Sequence, residues 1–333
     1  MDYKLTEPAQ ISTLLDIENL DVNLYRSKKV ILPPNSRGVF GGLVISHAMV
    51  AATESVKPEF HLHVRHVAGS ERSPANSLPA QSLHCYFILN ASPATPIYYN
   101  VDRVRDGRSY VTRAVRAVQS GRVIFIMVCS YQKPEPWQPS YRSPMPSNVP
   151  PPEECKDEAS LYRERAAVAN NEYLKNLWIR SAEYRDRSPI AIRSAGDHYE
   201  GGVLVSYAWM KAKHVPECDL AYQKCILGYL SDALFIGAGS RLLGLEWQTE
   251  DGPKSHGLSS TLDHSIWFYT DNFDCGDWLL FETRAPQAGS GRALVHRRVF
   301  TRDGVLIAHF SQEGVVRARV FSPEKSGQTQ SKL

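Results

Sequence analysis

The pattern of hydrophobic and polar positions predicts the same structural unit twice along the chain. In the first half, residues 43–55 carry small and apolar side chains on every side, which indicates a buried helix. In the second half, residues 225–238 show the same pattern. After each helix the pattern changes to alternation, which predicts antiparallel strands at residues 82–89, 97–104, 109–119 and 123–132, and again at residues 262–269, 278–285, 293–301 and 305–312.

Short sequence matches in the same order support a duplication. Three segments recur later in the chain, at offsets of 185, 180 and 180 residues: 45–49, 84–87 and 130–132. Collinear matches of this kind predict two copies of one domain. They pair His47 with Asp232, and Gln132 with Gln312.

A proline-rich stretch separates the copies. Eight prolines lie between Pro134 and Pro152, too many for a helix or a central strand. Residues 153–185 then favour a helix, and residues 189–193 and 203–211 favour strands. We therefore expect an N-terminal domain, a linker, a C-terminal domain and a polar tail, at residues 1–133, 134–158, 159–321 and 322–333.

One central helix wrapped by a curved antiparallel sheet is the hotdog architecture, and two copies in one chain form a double hotdog. The predicted fold class is therefore α+β, with two tandem hotdog domains that each have their own core. Their sheets can pair into one continuous surface. The copies differ where chemistry could lie, because the first apolar helix carries His47 and the second carries Asp232.

Composition excludes several classes of function. The 333 residues are 43% hydrophobic and 22% charged, as in soluble globular proteins. The net charge of +3, without a long basic run, argues against a nucleic-acid partner. No run of about 18 apolar residues occurs, so we expect no membrane span. The six cysteines form no Cys-x-x-Cys pair and are expected to be reduced, and no residue spacing indicates a metal site or a dinucleotide cofactor.

The chain ends in Ser331-Lys332-Leu333, after a polar segment. At a free C-terminus this tripeptide is the peroxisomal import address, which an import receptor reads. The N-terminus lacks the apolar core of a secretory signal. We therefore expect localisation to the peroxisomal matrix, with the import receptor as a partner.

Asp232 is the candidate that the residues alone single out, because a carboxylate in so apolar a segment is costly unless it is hydrogen-bonded. It is either a structural acid, satisfied by the backbone or by Ser231, or a functional base. His47 fits a satisfied core histidine. Residues 263–265 are Asp, His and Ser, but neighbours on a strand point to opposite faces and cannot form a relay. His264 therefore fits a structural or pocket-wall role.

Stretches spread along nearly the whole chain resemble the type II acyl-CoA thioesterases: residues 39–42 (VFGG), 105–110 (RDGRSY), 227–232 (LGYLSD), 261–268 (TLDHSIWF) and 312–314 (QEG). These enzymes are double-hotdog hydrolases. The resemblance implies an acyl-CoA substrate, hydrolysed to free fatty acid and CoA by direct attack of an activated water. It also implies a homo-oligomer, since relatives associate further.

In that family an Asp, a Ser or Thr, and a Gln orient the hydrolytic water. The matching residues here are Asp232, Thr261 and Gln312. Thr261 is predicted to open a strand and Gln312 to end one. Backbone N–H groups near the N-terminus of the first buried helix, at Gly41 and Gly42, are the candidate oxyanion donors.

Two departures from the family pattern fall in the first copy. Residues 88–92 (ILNAS) replace a Leu-Arg-Pro-Gly stretch, and Leu43 stands where Gln is common, which leaves the substrate contacts open. Several arginines fit either CoA phosphates or a solvated sheet face: Arg103, Arg105, Arg108, Arg113 and Arg116. Two other functions stay open: a hotdog-fold enoyl-CoA hydratase, whose Asp and His motif is not found, and a non-catalytic acyl-CoA-binding protein.

Residues 64–81 interrupt the resemblance, because the family runs almost directly from residue 63 to residue 82. They lack a hydrophobic period and are predicted to be loop. They fill a whole number of codons, and Val64 and Gln81 match the codons of usual intron edges. We hypothesise a translated short intron, the alternative being a genuine surface insertion. A mature transcript that keeps these codons excludes the intron.

Overall fold

The computed structural model describes residues 7–34, 36–56, 80–133, 135, 137–245 and 256–319. Its helices are α1 (Ile11–Leu15), α2 (Gly41–Glu54), α3 (Glu158–Ala167), α4 (Glu172–Arg187), α5 (Leu220–Ser231) and α6 (Gly237–Leu242). Its strands are β1 (Ile17–Asp21), β2 (Leu24–Ser27), β3 (Ala80–Phe87), β4 (Tyr98–Asp106), β5 (Tyr110–Gln119), β6 (Arg122–Gln132), β7 (Lys156–Asp157), β8 (Ile190–Glu200), β9 (Val203–Ala212), β10 (His256–Thr261), β11 (Asp263–Phe268), β12 (Leu279–Gly289), β13 (Arg292–Phe300) and β14 (Leu306–Ala318). Among the helices of these residues, none combines the length and the apolarity that crossing a bilayer requires.

The described strands form one fourteen-stranded sheet in the order β1-β2-β4-β5-β6-β3-β11-β14-β13-β12-β9-β8-β7, with β10 paired to β14 beside this path. The two halves join at β3 and β11, which run antiparallel with Leu83 opposite Ile266. The predicted pairing of the two sheets into one continuous surface is therefore confirmed.

The two apolar helices, α2 and α5, pack against each other inside the sheet. Gly228 permits their close approach, because a Cβ there would lie 2.8 Å from Met49 Sδ. The largest hydrophobic core runs through both halves, so the expectation of two separate cores is wrong. Neither helix has a polar face that could contact water, and each buries one side against the other helix. The double hotdog and the α+β class are confirmed.

The second buried helix ends earlier than predicted. α5 stops at Ser231, and Asp232 is its C-cap residue. Leu234 then has a φ of 58°, a left-handed conformation that costs a branched residue about 1–3 kcal/mol. The apolar pattern continues through this turn because the turn is buried as well. The single helix predicted over residues 225–238 is therefore wrong, because residues 237–242 begin a new helix, α6.

The helix predicted over residues 153–185 is two helices, α3 and α4. The chain breaks before Asn171, whose side chain accepts the N–H of Leu174 at 2.8 Å and caps α4. Asparagine is favoured at a helix N-cap and disfavoured inside a helix, which explains the break.

Several strands differ from their predicted ends. β14 continues to Ala318, so Gln312 lies inside that strand rather than at its end. Thr261 closes β10 rather than opening a strand. β3 begins at Ala80, so the last two residues of the predicted insertion belong to the sheet. The rest of that insertion, and residues 331–333, lie outside the described residues.

Two buried arginines show how the halves correspond. Arg113 on β5 donates to Ser55, the C-cap residue of α2, and Arg297 on β13 donates to the last carbonyl of α5. Each cation binds the C-terminal end of the central helix of its own half. The structural counterpart of Asp232 is therefore Ser55, and the expected pairing with His47 is wrong.

The strand matches of the repeat are one residue out of register. Counted from the two arginines, Gln312 on β14 takes the place of Tyr131 on β6. Tyr131 and Gln312 are both buried, whereas Gln132 is partly exposed on the opposite face. A shift of one residue moves a side chain to the other face of a sheet. The expected pairing of Gln132 with Gln312 is therefore wrong.

Candidate active site

Asp232, Thr261 and Gln312 form one hydrogen-bonded cluster. Gln312 Nε2 donates to Asp232 Oδ1 at 2.9 Å and to Thr261 Oγ1 at 3.0 Å. The residues come from different elements, since Asp232 caps α5 while Thr261 and Gln312 lie on the paired strands β10 and β14. The structure thus brings the three residues of the predicted trio side by side.

The Asp232 carboxylate is held from both halves of the molecule. Its Oδ2 accepts the N–H of Gly42 at 3.0 Å, at the N-terminus of α2, where the helix dipole favours negative charge. Burial raises the pKa of Asp232, and the donors Gln312 and Gly42 and the Arg297 cation oppose this rise. A carboxylate with a raised pKa is a stronger base as long as its surroundings still allow it to ionise.

Two glycines let α2 approach this acid. A Cβ on Gly41 would lie 2.7 Å from Asp232 Oδ2, and one on Gly42 would lie 2.5 Å from the carbonyl oxygen of Tyr229. Gly42 was expected to donate to an oxyanion, but its N–H is already bonded to Asp232, so it positions the acid instead. Gly41, at the first position of α2, keeps the predicted role of a candidate donor.

His264 lies behind the cluster rather than on a cavity wall. Its Nδ1 is 3.1 Å from Gln312 Nε2, and its Nε2 is 3.1 Å from Ser231 Oγ, which donates to the Gly228 carbonyl. Complete burial lowers the pKa of His264 to about 3, so the imidazole is neutral at physiological pH. A neutral ring that donates from Nε2 and accepts at Nδ1 satisfies these contacts. His264 therefore orients the amide, which agrees with the structural role, the first of the two predicted for it.

The Gln312 amide nitrogen faces more hydrogen-bond acceptors than it has hydrogens to donate. Its Nε2 carries two hydrogens and faces acceptors on Asp232, Thr261 and His264. Its Oε1 is buried without a hydrogen-bond partner among the described residues. An unpaired buried acceptor costs about 1–3 kcal/mol. The amide is thus the polar centre of the cluster, and its oxygen can accept a hydrogen bond from a ligand that carries a donor.

A cavity of about 110 Å³ adjoins Asp232 and Thr261. Water occupies about 30 Å³ per molecule, so the cavity can hold a nucleophilic water. The second half supplies its polar end, with Ser260 beside the two residues named. The first half supplies a mostly apolar wall, from Val39, Gly41, Val44, Phe87, Leu89, Asn90, Ala91, Ile124 and Phe125. The cavity therefore belongs to neither half alone.

Two polar residues singled out in the first half have structural contacts. His47 is buried, with Nδ1 3.1 Å from the Tyr99 hydroxyl and Nε2 2.6 Å from the Leu14 carbonyl, and burial lowers its pKa to about 4. Arg113, considered for CoA phosphates, is completely buried and bonds Ser55. Neither residue lines the cavity.

Arg297 is a residue of the site that the sequence patterns did not single out. This residue is 2% exposed, and its Nη1 donates to the carbonyls of Ser231 at 3.2 Å and Ala233 at 2.9 Å, on either side of Asp232. A signal was available, because residues 296–298 are consecutive polar residues on an alternating strand, where one must face the core.

Known proteins resemble this chain over most of its length. The acyl-CoA thioesterase N-terminal domain matches residues 32–132, and the acyl-CoA thioesterase C-terminal domain matches residues 152–316. Acyl-coenzyme A thioesterase 8 of Homo sapiens is 33% identical, over 93% of this chain and 89% of the relative. Peroxisomal acyl-coenzyme A thioester hydrolase 1 of Saccharomyces cerevisiae is 24% identical, over 85% and 87%. The crystal structure of acyl-CoA thioesterase II TesB2 from Mycobacterium marinum superposes with a TM-score of 0.67 at 28% identity, over 94% of this chain and 99% of that one.

Proposed function

This chain belongs to the acyl-CoA thioesterase family and is a thioester hydrolase that acts on acyl-CoA, and we propose that Asp232, Thr261 and Gln312 activate a water for direct attack on the thioester. The observation that supports this mechanism best is the buried Asp232 carboxylate beside a cavity of water-holding size. Thr261 and Gln312 are the hydrogen-bonding groups that fix the acid there.

In the proposed reaction, Asp232 takes a proton from the water while the water oxygen attacks the carbonyl carbon. A general base of this kind contributes about 10²–10⁴-fold to the rate. The developing oxyanion lies near the N-terminus of α2, where the Gly41 N–H and the helix dipole stabilise it. The carbon–sulfur bond then breaks, and the CoA thiolate leaves and recovers the proton from Asp232. Free fatty acid and CoA result.

Direct attack by water is favoured over an acyl-enzyme on Ser231 or Cys85, because both of these buried nucleophiles are engaged in hydrogen bonds. Ser231 Oγ donates to the Gly228 carbonyl at 2.8 Å. Cys85 Sγ donates to the His264 carbonyl at 3.2 Å, and burial raises the pKa of this thiol well above its usual range. A protonated, buried thiol is a poor nucleophile.

The test is a rapid-quench thiol-release assay on the purified protein across acyl-CoA chain lengths. We expect steady release without an initial burst and no acylated protein by intact mass spectrometry. A burst equal to the enzyme concentration that is accompanied by a covalent acyl adduct would overturn direct attack.

The same assay separates the two alternatives. An enoyl-CoA hydratase would add water to a double bond and release no thiol, and a non-catalytic binder would retain acyl-CoA without releasing thiol. The names of the similar proteins, which are thioesterases, weigh against both.

We further propose that the protein is imported into the peroxisomal matrix. The Ser331-Lys332-Leu333 tripeptide and the name of the yeast relative support this location. A fluorescent fusion should be punctate with the tripeptide and diffuse when it is removed. The same distribution with and without it would exclude this import route.

We also propose that the chain forms a homo-oligomer through the outer face of its sheet. Tyr86, Ile126 and Val128 are 55%, 39% and 49% exposed, and Tyr86 lies opposite Ile126. Adjacent exposed apolar residues favour association. Val128→Lys should lower the mass measured by sedimentation, and an unchanged mass would exclude this face.

The domain division at residues 134–158 remains part of the proposal. The matched ranges of the two family domains, 32–132 and 152–316, fall on either side of most of the proline-rich linker and support it. Limited proteolysis should cut first within this linker.

A further inference from the structure

Arg297 is a buried cation whose contacts bracket the proposed base. Nη1 donates to the carbonyl before Asp232 and to the carbonyl after it. Nε donates to Thr283 Oγ1 at 2.7 Å, which fixes the plane of the guanidinium. The guanidinium carbon lies 4.3 Å from the ring centre of Phe235, within cation–π range. The cation is therefore held in one orientation by strand, turn and ring.

The turn that carries Asp232 requires such a support. The last carbonyls of a helix have no partner within the helix, and a cation at that end is favourable. Two residues after Asp232, Leu234 adopts its left-handed conformation. Because one nitrogen holds the carbonyls on both sides of Asp232, it fixes the direction in which the carboxylate leaves the backbone.

We propose that Arg297 is a positioning residue for the hydrolysis, which holds the Asp232 carboxylate at the cavity and favours its ionised form. This inference rests on the proposed role of Asp232 as the base. The guanidinium bonds the backbone around Asp232, so it acts through that residue rather than on the substrate.

The first half of the molecule supplies a matched control. Arg113 occupies the corresponding place, with Nε 3.0 Å from Ser55 Oγ and Nη2 3.4 Å from the Ser55 carbonyl. There the capped residue is a serine that does not line the cavity. Arg113 therefore caps a helix without touching the reaction. Because it also pairs with Asp106, its removal measures the combined stability loss of the cap and that ion pair.

The charges around Asp232 set the sign of the expected effect. Arg297 is the cation whose charge lowers the pKa of Asp232, against the larger effect of burial. Besides burial, the Arg241 cation on α6 lowers the pKa of Arg297 itself. The titratable groups that also face Asp232 come from β11, β3 and α5 and are neutral at physiological pH: His264, Cys85 and Tyr229. Loss of the cation therefore raises the pKa of Asp232, and the base form appears only at higher pH.

The experiment compares Arg297→Met with Arg113→Met by measuring kcat, KM and thermal unfolding over a range from about pH 5 to about pH 9. Both variants should lose thermal stability. Only Arg297→Met should lower kcat, by about 10²-fold, as expected for a misplaced catalytic group. The acid limb of its kcat–pH profile should move to higher pH by about one unit, and its KM should change little.

Two milder variants keep the test decisive if Arg297→Met does not fold. Arg297→Lys keeps the positive charge but loses the planar guanidinium that donates in two directions. Its acid limb should therefore stay near that of the wild type while kcat falls. Thr283→Val removes the acceptor that orients Nε and should lower kcat less than Arg297→Lys.

The outcomes separate this inference from the proposed function. If Asp232→Asn abolishes turnover but the Arg297 variants keep the wild-type kcat and acid limb, Arg297 is structural and only this inference fails. An equal loss of kcat in Arg113→Met also refutes it. If Asp232→Asn retains full turnover, the proposed mechanism fails and this inference fails with it.

Discussion

The N-termini of the two central helices differ, and the difference shows where a duplicated fold places its site. α5 is capped locally, because the Asp219 side chain accepts the N–H of Tyr222 at 2.8 Å. α2 follows Phe40 and has no side-chain cap. Its Gly42 N–H instead bonds Asp232, which ends the helix of the other half. A helix end without its own cap is thus available to hold a carboxylate from elsewhere.

The C-termini of the same helices complete this comparison. Both ends are bonded by a buried arginine, but one C-cap residue is Ser55 and the other is Asp232. The cavity lies where the end that carries the acid meets the uncapped end. The acidic C-cap residue of α5 and the missing side-chain cap of α2 are therefore two differences that make similar halves unequal.

The largest effect should follow from changing the two C-cap residues. Asp232→Asn removes the proposed base and should lower kcat by about 10²–10⁴-fold while the protein stays folded. Ser55→Ala, in the first half, should leave kcat unchanged. Thiol release and circular dichroism check both variants, and an unchanged rate in Asp232→Asn would remove that residue from its role.

The counterparts Gln312 and Tyr131 should differ next. Gln312→Ala leaves Asp232 and Thr261 without their shared donor, and the misplaced acid should cost roughly 10²-fold in kcat. Tyr131→Phe loses the hydroxyl contacts with Thr53, 3.1 Å away, and with Cys129 Sγ, 3.7 Å away, and should keep the wild-type kcat. Equal losses in the two variants would show that the amide acts through stability alone.

A smaller effect should separate the two helix N-termini. Asp219→Ala removes the local cap of α5 and should cost about 1 kcal/mol of unfolding free energy without changing kcat. Gly42→Ala places a Cβ against the Tyr229 carbonyl and displaces the N–H from Asp232, so it should lower kcat as well as stability. Denaturant unfolding and thiol release measure both, and a normal kcat in Gly42→Ala would contradict the shared cap.

The smallest effect concerns pH. The wild-type kcat should rise through one ionisation, that of Asp232, because burial keeps His264 neutral, with a pKa of about 3. Thr261→Val removes a hydrogen bond that lowers the pKa of Asp232, so the acid limb should move to higher pH. A second ionisation that disappears in His264→Gln would show that the imidazole titrates in the working range.

Much of the fold could be predicted because its signals are local. The all-round apolar pattern located α2 to within two residues of its ends, and alternation located most strands. The end of α5 could not be found this way, because Ala233 and Leu234 are as apolar as the helix although the chain has already turned. Apolar periodicity reports burial, and a buried turn has the same composition as a buried helix.

The site was predictable only in its residue types. Resemblance selected Asp232, Thr261 and Gln312, but the N–H that holds the acid comes from Gly42, 190 positions earlier. The face of the sheet on which a strand residue lies could not be predicted either. The hairpins after β5 and β13 differ in length, so Gln132 and Gln312, which match in sequence, lie on opposite faces. Contacts between distant segments and strand register are set by the assembled sheet.

The hydrogen bond from Gly42 to Asp232 makes turnover a measure of assembly. A molecule in which only the second half has folded contains the whole trio, yet its acid lacks the donor from α2 and its cavity lacks the wall from the first half. Such a partly folded chain would be inert. Recovery of activity during refolding should therefore lag behind recovery of secondary structure and coincide with the docking of the two helices.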